Sequence, residues 1–201
     1  SYTSAIAQII QLPGISGLEN NMILFEFEKR NPQNLHQIVD NISLVRAAQY
    51  DVCVLAGSNR TTYFREGIHI WIRKFDLQNI NLMILLSYII MGHPDWKQGQ
   101  IKIFNLYRPS GEDESKKQLI EVVRNGRIPI SLKNIEFIEL EENTNPREII
   151  SSRSSRAGLT MIGFLNEQLK HEGEKTFLGY DKLGDVLFVN ARQEKSMGSS
   201  S

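Results

Sequence analysis

The sequence predicts an α/β fold in which mainly parallel sheets carry helices on both faces, arranged as two lobes that meet near residue 94. Three observations point there. First, Ile68, Ile70 and Ile72 alternate with His69, Trp71 and Arg73, the period-2 pattern of a strand. An apolar run at 82–91 follows, and strand character returns at 100–104. A strand, a helix and a strand make a crossover unit whose parallel pairing lays the helix across the sheet. Second, the same β-α-β rhythm recurs before and after this unit, which implies open sheets wound on both faces. Third, the run 82–91 is apolar on nearly every side, with Ser87 its one small polar residue. Such a helix has no face to give to water and is expected to be covered on two sides, by a second lobe or by another copy of the chain.

In chain order, residues 4–12 read as a short amphipathic helix, and Gly14, Gly17 and Asn20 punctuate a turn into a strand at 22–27. Asn31-Pro32 predicts a helix start, a cap followed by proline at the first helical position. Leu35, Ile38, Val39, Ile42 and Val45 give that helix its apolar face. Residues 52–56 form a buried strand, 57–67 a polar loop, and 101–105 the strand that closes the central unit. A loop at 109–114 leads into a helix with Glu112, Asp113 and Glu114 in its first turn and Gly126 just past its end, as the helix dipole and the left-handed cap favour. After a strand at 135–140, Asn145-Pro146 repeats the cap-then-proline opening, with Glu148 completing an approximate capping box. Strands at 159–162 and 186–189 finish the pattern. The organisation expected is an N-terminal lobe at 1–94, a C-terminal lobe at 95–192, and a tail or cloning remnant at 193–201.

Composition excludes several function classes. Lys plus Arg equals Asp plus Glu at 23 each, so no overall field attracts nucleic acid or an anionic bilayer. The single cysteine, Cys53, lies in an apolar run and reads as a buried, inert thiol, which fits a reducing compartment. No segment reaches the roughly 18 consecutive apolar residues of a spanning helix. The chain has no initiator methionine and no signal peptide, so it reads as a piece of something longer.

The search for chemistry finds little. His36, His69, His93 and His171 lie far apart without metal-ligand spacing, and no Walker loop, GxGxxG or GxSxG elbow is present. The sequons at Asn41 and Asn59 read as chance matches in a cytosolic chain. Universal stress proteins that hold ATP carry G-x2-G-x9-G-[ST] after their fourth strand, where glycines let backbone amides cradle phosphates. Here Gly163 is followed by Asn166 and Thr176 where that pattern needs glycine. Glu139, Glu141 and Glu142 read as a solvated turn rather than a cation site. Ser151, Ser152, Ser154 and Ser155 with Arg153 and Arg156 suggest either an anion or phosphorylation site, or a helix end whose cations meet the dipole. No set of acid, base and nucleophile assembles, so the expectation is that the chain is not an enzyme and needs no cofactor.

At several ordered points the chain resembles the cytoplasmic C-terminal domain of cation-chloride cotransporters. Gly14, Gly17 and Asn20 ahead of 22–24 look like the family's G-x-G-x-L-x-P-N lead into a first strand. The segment 67–71, ending at Trp71, is similar to G-T-I-D-V-W, and 82–88 to L-T-L-L-I-P-Y. Trp96-Lys97 with 101–104, ending at Phe104, looks like W-K-x-C-K-I-R-V-F. Ser155, residues 159–162 and residues 186–192 resemble the closing segments. The departures are Asp76 to Asn79 in place of a glycine pair, Gly163-Phe164 in place of a proline, and a short link at 107–115 without a serine- and threonine-rich insert, which points to a prokaryotic member without kinase control. The resemblance implies two universal-stress-protein-like lobes, a regulatory and dimerisation role on the cytoplasmic face of the membrane, and no chemistry. Its partners would be the transport domain of the same polypeptide and a second copy. Leu82, Leu85, Leu86, Ile89 and Ile90 are the candidate lobe or dimer contact.

Overall fold

The computed structural model describes residues 1–14, 20–108 and 114–192. Gly17, Glu112, Asp113 and the tail at 193–201 lie outside the described residues. Seven strands form one sheet: β1 (Met22–Glu28), β2 (Asp51–Gly57), β3 (Ile68–Ile72), β4 (Ile101–Tyr107), β5 (Ile135–Glu139), β6 (Leu159–Gly163) and β7 (Val186–Asn190). Their spatial order is β1-β2-β7-β6-β3-β4-β5. Every neighbouring pair is parallel except β2 with β7, where Val54 stands opposite Phe188.

The helices are α1 (Tyr2–Gln11), α2 (Leu35–Ala47), α3 (Leu77–Met91), α4 (Glu114–Arg124), α5 (Pro146–Arg153) and α6 (Asn166–Glu172). The crossovers decide which face each helix covers. Moving outward from β3 to β4 to β5 places α3 and α4 on one face, and returning from β5 through β6 to β7 places α5 and α6 on the other, as right-handed connections require. The face of α5 and α6 also carries α1 and α2, packed on Phe25, Phe27, Val52 and Val54. The opposite face carries only α3 and α4 among the described residues, over Ile70, Ile103, Met161 and Leu187.

The mainly parallel α/β class is therefore as expected, but the sheet runs unbroken through the proposed lobe boundary. Residue 94 falls in the crossover between β3 and β4, and β3 is hydrogen-bonded to β4 on one side and to β6 on the other. What the chain contains instead is a five-stranded parallel unit, β7-β6-β3-β4-β5, extended at β7 by an antiparallel-attached β1-α2-β2 unit. An alternating β-α-β rhythm does not say which strands pair, so it cannot separate two sheets from one.

Local starts and stops follow side-chain chemistry. Asp76 accepts a hydrogen bond from the Asn79 amide and starts α3 five residues before the apolar run. Gly126 takes φ +64° just past α4, the left-handed conformation a side chain would resist. Asn31-Pro32 does not open α2 as expected: Asn31 bridges back to Glu28, the Pro32 carbonyl accepts from the Leu35 amide, and the helix starts after Asn34. That turn is also tied down by the Asn34 side-chain amide, which donates to the Glu26 carbonyl. α6 has no counterpart in the sequence reading; it is short, and none of its residues is fully buried.

Candidate functional site

Two surfaces hold residues without an obvious structural purpose. The first is a crevice of about 550 Å³ beyond the carboxyl ends of β3, β4 and β6. It opens where the crossovers change direction between β6 and β3, the place where open α/β sheets usually bind ligands. Arg73, Lys74 and Arg108 bring positive charge to it; Asp76, Glu167 and Glu172 bring negative charge. The Arg73 guanidinium donates to Gln168 Oε1 at 3.1 Å, and Glu172 accepts from Arg147 at 3.2 Å, so part of this charge is already spent within the protein.

The turn after β6, where a phosphate loop would sit, is closed by polar side chains. The Phe164 amide donates to the Val189 carbonyl, and the Phe164 carbonyl accepts from the side-chain amides of Asn79 and Asn190 at 3.1 and 2.8 Å. Asn79 Oδ1 accepts from the Ala191 amide at 2.6 Å, which joins α3 to the end of β7. A backbone cradle for phosphate needs free N–H groups, and this turn has committed the Phe164 amide to the sheet. The substitution of Asn166 for a glycine is thus matched by a turn built for a different purpose.

The second surface is the outer side of α3. Ile80, Met83, Ile84 and Ser87 are buried against the sheet, and Ser87 Oγ donates to the Met83 carbonyl. Leu85 and Ile89 point away, 55% and 64% exposed. Leu82, Leu86 and Ile90 lie half-buried along one flank, and Tyr88 on the other donates its hydroxyl to the Pro129 carbonyl. The five residues expected at a contact therefore share one side of the helix. Among the described residues α3 is covered on one side only.

Among the residues of the family motifs, Trp71 and Phe104 come together. Their rings stack at 4.4 Å on adjacent strands, with Trp71 fully buried. Trp71 Nε1 donates to Ser154 Oγ at 2.8 Å, and the same oxygen lies 2.8 Å from His69 Nδ1. Ser154 Oγ thus ties both rings together, while His69 Nε2 is buried without a hydrogen-bond partner. Burial, with the Lys102 ammonium as a lesser cause, lowers the His69 pKa to about 4. Trp96 sits elsewhere, edge-on to Phe64 at 5.1 Å; a Cβ on Gly158 would lie 2.8 Å from its ring, so that position has no room for a side chain. Gly14 follows α1, and Asn20 is exposed ahead of β1.

The serine and arginine cluster resolves into structure. Ser154 is fully buried as the Trp71 acceptor, Arg153 pairs with Glu136 at 2.8 Å, and Arg156 with Glu66 at 3.4 Å. Cys53 is buried, and its surroundings, with the Asp51 carboxylate nearby, raise its pKa to about 12. Among the described residues no three His, Cys, Asp or Glu side chains gather as metal ligands, and no helix is long and apolar enough to cross a membrane. Sequence reasoning missed the crevice, whose residues come from stretches 71–83, 106–108, 140–146 and 163–172, and it missed Ser154 as a buried hub. The proximity of His69 and Ser154, 85 residues apart, leaves no local signal.

No protein-family model matches the sequence, and no curated protein matches it. Among solved structures, the cytoplasmic domain of a prokaryotic cation chloride cotransporter is similar over 95% of this chain and 71% of its own, with a TM-score of 0.55 and 16% identity. A protein assigned to the universal stress proteins from Pseudomonas aeruginosa UCBPP-PA14 gives 0.47 at 17% identity, over 82% of this chain and 62% of its own. A protein of unknown function from Pseudomonas aeruginosa PAO1 gives 0.47 at 17% identity, over 94% and 67%. At these identities the likeness is one of fold: the path of almost the whole chain is shared with the cytoplasmic domain of a cation chloride cotransporter.

Proposed function

We propose that this chain is the cytosolic regulatory domain of an electroneutral transporter that moves chloride together with sodium or potassium, acts as a homodimer, and performs no chemistry itself. The observation that carries the reading is the agreement of two independent comparisons. Ordered sequence motifs running from Gly14 to Arg192 resemble this family, and a fold similar over 95% of the chain belongs to a cytoplasmic domain of it. The non-enzymatic part is supported by the burial of the Ser154–His69 pair among the described residues, since Ser154 Oγ is fully enclosed and out of reach of a substrate. Ion binding would belong to membrane helices elsewhere in the polypeptide, where broken helices supply the sites. The domain would bias the transporter's conformational equilibrium through contacts that differ between states, a coupling of about 1 to 3 kcal/mol.

The test is transport by the parent polypeptide in proteoliposomes. Chloride-dependent, electroneutral uptake of sodium or rubidium is expected, and deletion of this domain should change the rate by about 5- to 150-fold. A parent reading frame without hydrophobic spans, or uptake indifferent to chloride, overturns the proposal. A second reading, a nucleotide-binding module, is favoured by the crevice at the switch point with Arg73, Lys74 and Arg108. The closed turn at Phe164 opposes it. Saturable ATP binding by calorimetry, lost on Arg73→Ala, would establish that reading instead.

A further inference from the structure

We infer that the crevice beyond the carboxyl ends of β3, β4 and β6 binds a small amphipathic organic anion, one charged head on an apolar body the size of a fatty acyl or naphthyl group, and not a nucleotide. The inference goes beyond the transport reading and does not depend on it. The crossover from β3 leaves on one face of the sheet and that from β6 on the other, so the two loops part and a hollow opens between them. At about 550 Å³ it has the size of a small-molecule site.

Charge selects the head. Arg73 and Lys74 follow β3 and Arg108 follows β4, so three cations arrive at the ends of adjacent parallel strands. The Arg73 guanidinium donates to Gln168 Oε1 at 3.1 Å, a neutral acceptor that does not cancel its charge. The acids are largely committed elsewhere. Asp76 caps α3 through the Asn79 amide, and Glu172 Oε2 accepts from Arg147 at 3.2 Å and from the Gln168 side-chain amide at 3.3 Å. Glu167 stands in the exposed first turn of α6. The strand ends therefore carry an excess of positive charge with a guanidinium fork in it, which suits a single carboxylate or sulfonate.

The remaining lining selects the body. Ile80 and Met83 of α3, Leu106 of β4, Leu140 after β5 and Leu165 before α6 border the same space. A ribose would set its hydroxyls against these carbons without partners. A chain of phosphates has no cradle either, because the Phe164 amide is bonded to the Val189 carbonyl and the Phe164 carbonyl to the side chains of Asn79 and Asn190. An acyl or aryl body meets neither cost. Each methylene it buries should raise affinity by about fourfold.

The probe is 8-anilinonaphthalene-1-sulfonate, one sulfonate on an apolar body, titrated into the full chain and followed by its fluorescence. Saturable binding at one site is expected, displaced by octanoate but not by octanol, inorganic phosphate or ATP at the same concentration. Arg73→Gln should weaken it by about 10- to 100-fold and Arg73→Lys by less, with circular dichroism showing both folded. Lys74→Glu, at an exposed position, tests the same head should Arg73→Gln not fold, and a loss of about tenfold is expected. Leu85→Arg, on the exposed side of α3, removes the competing apolar surface and should leave the affinity unchanged. Absence of saturable binding overturns the inference. So does binding that Leu85→Arg abolishes and Arg73→Gln spares, which would lie on α3, or displacement by octanol as readily as by octanoate, which would mean that no head is recognised. Displacement by ATP at lower concentration than octanoate overturns it in favour of the nucleotide-binding reading. None of these results bears on chloride-coupled uptake by the parent polypeptide, which stands or falls separately.

Discussion

Burial, joined by the Lys102 ammonium, holds the His69 imidazole at about pH 4, well below its ordinary 6.5. The consequence for stability has a definite sign. Between those two values the unfolded chain takes up a proton that the folded chain refuses, so the folded state loses stability as pH falls from about 6.5 toward 4 and is unaffected by this group above that window. The full effect reaches about 3 kcal/mol. Urea unfolding across the window should show this slope, and His69→Asn should flatten it while keeping a polar partner for Ser154; an unchanged slope would assign the loss to other groups. Lys29 is the second residue with a consequence of its own. Its Nζ reaches the carbonyls of Tyr180, Leu183 and Gly184, and so ties the turn ahead of β7 to the end of β1. Burial, and after it the Arg60 guanidinium, lower its pKa to about 8, while Asp185 and Asp181 act in the opposite direction. Lys29→Met keeps the stem and removes the donors, leaving three carbonyls to find other partners. A loss of about 1 to 3 kcal/mol is expected in denaturant titrations at pH 7.

Among the elements, α3 shows most clearly what a linear pattern can and cannot convey. Its lack of a polar stripe is visible in the sequence, and the demand for two covers follows from that alone. Which side faces the sheet is not visible, because Ile80, Ile84, Leu85 and Ile89 are chemically interchangeable; only the pairing of β3 with β6 decides that Ile84 is enclosed and Ile89 is not. Truncation separates the two sides. Ile84→Ala should cost about 2 to 5 kcal/mol by opening a cavity under the helix. Leu85→Ala, measured in dilute solution where copies are apart, should cost less than about 0.5 kcal/mol. Equal losses would mean that the helix is enclosed on both sides within one chain. The strands β1 to β7 were legible because alternation and short apolar runs mark them, and Trp71 and Phe104 stood out as large aromatics on such strands. The start of α2 was not: Asn31-Pro32 carries a valid cap signal, but the same residues serve a β-bridge and a turn, and the helix begins at Leu35. The crevice was illegible for a related reason, since its charges come from the ends of β3 and β4, from α3 and from α6, elements that are adjacent only in the folded sheet.

For the molecule as a whole, the position of β3 decides what can be cut from what. In the order β7-β6-β3-β4-β5 it is the middle strand, with Ile68 opposite Ile101 on one side and Leu159 on the other. A break near residue 94 would separate β3 and its helix from both neighbours, leaving β6 and β4 with unpaired backbone donors and acceptors along their length and Met161 and Ile103 without the cover of Ile84 and Met83. A break between β2 and β3 does far less. The five parallel strands then keep their ladder, their crossovers and the helices α3 to α6, and what is lost is the antiparallel seam between Val54 and Phe188, the Lys29 bonds to the turn ahead of β7, and the packing of α2 on Phe177 and Tyr180. A fragment of residues 61–192 is therefore expected to retain helical circular dichroism and a cooperative melt at reduced stability, with β7 as a new sticky edge that lowers its solubility. Fragments 1–94 and 95–192 are expected to be unfolded when made separately. Cooperative melting of either of these two, alone, would restore the two-lobe organisation that the alternation of strands and helices first suggested.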